Sequence, residues 1–108
     1  MKSSLKLTKE TVDPFFSNWA QLSEEIAHLH GLRDKQLSQY MQEGIELYKK
    51  LISHCEDQIV PMNGQERLQF VDQHLGNYAA YRQLDELFSE MKKKIASKRI
   101  QFKKMEYE

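Results

Sequence analysis

Seven basic residues, Lys92, Lys93, Lys94, Lys98, Arg99, Lys103 and Lys104, crowd the stretch from 92 to 104, and no acid interrupts them. A cluster of this kind neutralises an anionic surface, whether an acidic protein face, a nucleic-acid backbone or a layer of lipid headgroups. It is also what a solvated helix end looks like, because the helix dipole favours cations near a C-terminus. On a helix, Lys92, Lys93 and Lys94 fan around most of the circumference. Lys92 shares a face with Arg99, and Lys94 shares one with Lys98. That spread suits a diffuse electrostatic patch and does not align donors on base edges. The rest of the chain carries the opposite sign. From Glu10 to Met91 there are fourteen acids against six basic residues, a net of −8, although the whole chain of 108 residues is neutral. Lys2, Lys6 and Lys9 add positive charge at the N-terminus.

Other residue types with chemical potential are sparse. Glu25-Ile26-Ala27-His28 has the Glu-x-x-His spacing of carboxylate-bridged metal sites in helical bundles. Such a site needs two copies and a Glu from each of two further helices. If Ile26 and Leu29 face a core, Glu25 and His28 turn towards the flank, so no metal site is expected. His30, His54 and His74 share no ligand spacing. The acid pairs Glu24/Glu25, Glu56/Asp57 and Asp85/Glu86 read as solvated charges on helix surfaces. Cys55 is the single cysteine. It has no disulfide partner, suits a reducing compartment, and sits at helical spacing as a small buried hydrophobe. Adjacent His54 points about 100° away from it, the wrong direction for activating a thiol. With no glycine-rich phosphate loop, nucleophile elbow or Cys-x-x-Cys, neither an enzyme nor a cofactor is expected.

Long helices must carry these residues. Only four Gly and two Pro occur among 108 residues, and Leu, Glu, Gln, Lys, Met and Arg are abundant. These side chains lose little rotamer freedom in a helix, and so few turn residues exclude a sandwich or barrel. Asp13-Pro14 has the form of a cap followed by a first helical residue. Phe15, Trp19, Leu22, Ile26 and Leu29 then recur at 4-3-4-3 spacing. Beyond Gly31 the stripe resumes in register as Leu37, Met41, Ile45, Tyr48, Leu51, Cys55 and Ile59, so a bend or weak point at Gly31 is expected. Pro61 ends the run, and Asn63 with Glu66 has the spacing of a capping box. A second stripe runs Leu68, Val71, Leu75, Tyr78, Tyr81, Leu84, Phe88, Met91 and Ile95, fading to Phe102 and Met105, with Gly76 inside it.

The expected fold is an all-α, single-domain antiparallel helical hairpin. It comprises a flexible segment 1–12, a helix 14–59 bent or broken near Gly31, a turn 60–63 and a helix 64–104. Unbroken arms would reach about 60–70 Å at the helical rise per residue. A break at Gly31 gives a three-helix bundle instead. Two helices bury less surface than a domain of this size needs, and Phe16, Leu32, Leu47, Phe70 and Leu87 widen the stripes. Pairing of two chains into a four-helix bundle is therefore expected. The aromatic residues Phe15, Phe16, Trp19, Tyr40, Tyr48, Tyr78, Tyr81 and Phe88 read as core. No apolar run spans a membrane or forms a signal-peptide core. The functional expectation is a cytoplasmic, non-enzymatic protein-interaction module of the adaptor, chaperone or assembly-factor kind. A nucleic-acid or anionic-surface binder using residues 92–104 is the alternative.

Overall fold

The computed structural model describes residues 7–107 and the side chains of residues 7–102. Four helices form in order: α1 Lys9–Leu32, α2 Leu37–His54, α3 Gly64–Gln73 and α4 Tyr78–Tyr107. The described residues contain no strand. The helices alternate in direction, and α1 packs chiefly on α2 and α3 on α4. Ring contact of Phe15 with His54 marks the antiparallel α1–α2 pair. Lys92 over Phe16 and His30 against Tyr78 mark the antiparallel run of α4 along α1.

Each expected arm is interrupted once. In the first, Gly31 stays helical and the break falls just beyond it. Arg33 takes the left-handed conformation, and the Asp34 N–H bonds back to the Leu29 carbonyl at 3.1 Å. That bond is the six-to-one closure of a Schellman end, made here without a glycine. Asp34 Oδ1 then accepts the Gln36 N–H at 2.8 Å and opens the approach to α2.

The second arm breaks at residues 74–77, where the unbroken stripe gave no warning. Asn77 Oδ1 accepts the Ala79 N–H at 2.9 Å, a side-chain cap that starts α4. This break lets α3 fold back along α4, so that Val71 and Ala80 both reach zero exposure. Asn77→Ala should therefore cost about 1 kcal/mol, a fall in Tm of about 4–8 °C for a domain of this size. Thermal melts of Asn77→Ala and Asn77→Asp test it: the aspartate should keep most of the stability, and an unchanged alanine variant would mean that the cap contributes nothing.

Three expected boundaries also move. Helix α1 begins at Lys9, so Asp13 is no cap and Pro14 lies inside the helix; of the expected segment 1–12, residues 9–12 are helical and residues 1–6 lie outside the described residues. Burial of Leu7 and Val12 at this end offsets the one hydrogen bond that Pro14 cannot donate. Helix α2 stops at His54, not at 59, because Glu56 and Asp57 both adopt positive φ. The chain turns there and still buries Cys55 and Ile59. Asn63 is left-handed and makes no side-chain cap bond, so the capping box with Glu66 does not form.

The core runs the length of the molecule, and its described residues include no buried polar or charged side chain. Trp19 stacks on Phe88 at 4.5 Å, Tyr48 meets Phe88 edge-on at 5.6 Å, and Trp19 Nε1 donates to Asp85 Oδ1 at 2.9 Å. Gly44 of α2 lies beneath the indole, in a gap shared with Leu84. Of the expected aromatic core, Trp19, Tyr48 and Phe88 are buried, whereas Tyr78 is 53% exposed. The longest dimension is 54 Å, short of the hairpin's expected reach. With four helices from one chain, most of each apolar stripe finds its partner internally, while Leu32, Phe70 and Tyr78 stay exposed, so the area argument no longer requires a second chain.

Candidate basic interface on the last helix

Met91 and Ile95 are fully buried, and this sets the rotation of α4. Lys93, Ser97 and Gln101 then form one outward row, and Lys94 and Lys98 the next. The α2–α3 connection brings Gln58 and Ile59 alongside. Together these residues line an open groove of ≈ 390 Å³ bordered by Lys93, Lys94 and Lys98, the last with its Nζ 5.9 Å from the Phe102 ring centroid. The ion pairs of Lys49 with Glu46 and of Arg67 with Glu90 use none of these lysines. The nearest acid along the helix, Glu90, is already engaged by Arg67 of α3, whose guanidinium hydrogen-bonds it and holds its carboxyl below the usual range. Arg67 also donates to the Met62 carbonyl at 3.1 Å. With the Gln83 amide turned so that its oxygen faces Arg67, Nε and Nη2 reach it at 2.7 and 2.8 Å.

The remaining basic residues diverge from this groove. Lys92 sits 5.9 Å from the centroid of Phe16, on the α1 side. Arg99 is committed to the fold: its Nε donates to the Leu7 carbonyl at 2.7 Å and clamps the N-terminal segment onto α4. The side chains of Lys103 and Lys104 lie outside the described residues, as do Lys2 and Lys6. Within the described residues, the seven-residue patch therefore resolves into three lysines bordering one groove, one lysine on another face and one structural arginine.

A second charged surface escaped the sequence reading. Between α1 and α2 runs a groove of ≈ 890 Å³ whose lining includes Glu25, Glu43, Glu46 and Asp72. Asn18, Gln21, Gln39 and Gln42 add amides, Leu22, Ile45 and Leu47 form an apolar floor, and Lys49 and Lys50 are the basic members. Its signal was the spacing of Gln39, Gln42, Glu43 and Glu46, which share one helical face.

Of the other candidate residues, all but Glu25 are placed apart from both grooves or serve the fold. Glu25 borders the acidic groove, and His28, like Glu25, is exposed on the flank of α1. Glu24, Glu56, Asp57 and Glu86 are exposed, while Asp85 holds the Trp19 indole. Cys55 is buried, and desolvation pushes its thiol up to about 11. Tyr48 is pushed up to about 12 by burial. His30 packs between Tyr78 and Tyr81, and burial lowers its pKa. Among the described residues, no three His, Cys, Asp or Glu side chains converge as a metal site would require, and no helix is long and apolar enough to cross a membrane.

Comparison with known proteins finds one family whose model, described as YpoC-like protein, matches residues 9–103. No curated protein and no solved structure matches.

Proposed function

The chain belongs to the YpoC-like protein family, and from that premise we propose that it is a non-enzymatic helical interaction module whose lysine groove engages an acidic surface on a protein partner. One observation carries the reading: Lys93, Lys94 and Lys98 border an open groove while the adjacent acid, Glu90, is held by Arg67. The local positive charge is therefore available to a partner. Ser97, Gln101 and Gln58 in the same lining supply neutral hydrogen-bonding groups that carboxylates accept from. The groove also has an apolar wall in Ile59, which suits a folded protein face better than a bare polyanion.

Charge reversal at Lys93, Lys98 and Lys103 tests the proposal, with polyglutamate as the probe of acidic surface. Binding to the unaltered protein should weaken steeply between low and high salt, because exposed charges are screened over about 10 Å at 0.1 M. The triple variant should lose at least about tenfold in affinity. Its helicity should be unchanged, since exposed charges contribute little to stability. Full binding by the variant, or affinity indifferent to salt, would reduce the lysines to a solvated helix end. Tighter salt-sensitive retention on duplex DNA or anionic vesicles than on polyglutamate would overturn the protein-partner reading in favour of a polyanion.

A further inference from the structure

The lysine groove and the acidic groove belong to one neutral chain, yet they share no lining residue. One is built from α4 and the α2–α3 connection, the other from α1, α2 and Asp72 of α3. We infer that the acidic surface engaged by the lysine groove is the α1–α2 groove of a second copy of this chain. This inference rests on the preceding reading of the lysine groove and names its partner.

Three features support the match. The first is charge. Glu25, Glu43, Glu46 and Asp72 line the acidic groove, and Glu46 alone of the four has a local ion pair among the described residues. That pair, with Lys49, is 4.0 Å long with side chains 66% and 58% exposed, loose enough to exchange for an intermolecular one. The second is apolar surface. Ile100 is 57% exposed and lies seven residues beyond Lys93 on the same side of α4. Leu22 and Leu47 lie half-buried in the floor of the acidic groove, where such a side chain can be covered. The third is the charge balance along the chain, a net of −8 over Glu10–Met91 against seven uninterrupted positive charges over residues 92–104. Copies that superpose like patches repel, whereas copies that cross opposite patches attract, and a two-fold arrangement would make the contact twice.

Sedimentation velocity on the full chain, over a concentration series at low and high salt, reads this association directly. A dimer should form at low salt and dissociate as salt rises. Glu43→Lys with Glu46→Lys should weaken it by at least about tenfold, and so should Lys93→Glu with Lys98→Glu. An equimolar mixture of the two double variants should restore association, since both crossed contacts regain opposite charges. A monomer under every condition, a dimer indifferent to salt, or variants that fail to rescue each other would overturn the inference. Polyglutamate separates this failure from that of the wider reading. If self-association is absent while the Glu43→Lys, Glu46→Lys variant binds polyglutamate as the unaltered protein does, the second-copy assignment falls and the lysine groove keeps its role. Loss of polyglutamate binding by the unaltered protein removes both.

Discussion

Leu84→Asp should leave the chain without cooperative tertiary structure at neutral pH. Leu84 has zero exposure, and its Cδ2 faces Gly44 on α2 at the centre of the bundle. No described basic side chain enters that core, so an aspartate there would be a buried charge without a partner. A cost of at least about 4 kcal/mol is expected, a large part of the roughly 5–15 kcal/mol that stabilises a domain. Leu84→Ala removes the packing but introduces no charge, and should cost about 2–5 kcal/mol. The sign of the pH response separates the two effects. Burial raises the aspartate's pKa in the folded variant, so the folded state binds its proton more readily, and lowering the pH should recover helix. Circular dichroism and thermal melts against pH provide the measurement. Unchanged melting of the aspartate variant would mean that this face of α4 is open to solvent.

Gly44→Leu should be nearly as damaging, for a steric reason. A Cβ at this position would come 2.8 Å from Trp19 Cζ3 and 2.9 Å from Leu84 Cδ2. Trp19 has little room to retreat, because its ring is stacked on Phe88 and its N–H is bonded to Asp85. Gly44→Ala sets a gain in helix propensity of about 1 kcal/mol against overpacking of about 1–3 kcal/mol. A modest net loss should result. Leucine adds three further carbons in the same gap and should cost at least about 3 kcal/mol, beyond the usual overpacking range. Gly31 is the contrasting position: its Cβ would meet nothing within 4 Å, so Gly31→Ala should stabilise by up to about 1 kcal/mol. Urea melts rank the three variants, and fluorescence of the single Trp19 reports whether the indole has moved. A Gly44→Leu variant as stable as the unaltered protein would show that α1 and α2 do not approach closely at this point.

The basic interface and the packing that supports it are linked through the rotation of α4. Leu84, Phe88, Met91 and Ile95 hold one side of that helix in the core, and Lys93, Lys94 and Lys98 reach their groove as a consequence. Variants that disturb the core would therefore confound any binding measurement, whereas the lysine and glutamate reversals act on the outer faces. This is why the charge-rescue experiment pairs two surface variants.

The helical class and the inward faces were legible in the residues alone. Trp19, Ile26, Leu29, Met41, Ile45, Tyr48, Leu51, Leu84, Phe88, Met91 and Ile95 recur at helical spacing, and all are buried. Hydrophobic period reports which side of a helix meets a core, and that preference is local. It does not report where a helix stops when the next one resumes in register. The stripes crossed the breaks near Arg33 and Gly76 without losing phase, so two arms became four helices. The left-handed ends at Arg33, Glu56 and Asp57 carry no glycine to announce them, whereas Asn77 beside Gly76 was a cap signal that could have been read. The same division holds for the interface. Charge segregation was visible as composition, but the groove that Lys93, Lys94 and Lys98 border required Gln58 and Ile59 from the α2–α3 connection. Arg99 left the patch only because Leu7, 92 residues away in sequence, brought a carbonyl to its guanidinium. Spacing within one helix is a property of the chain. Which helix lies opposite, and which charge is thereby used up, is decided only when the core closes.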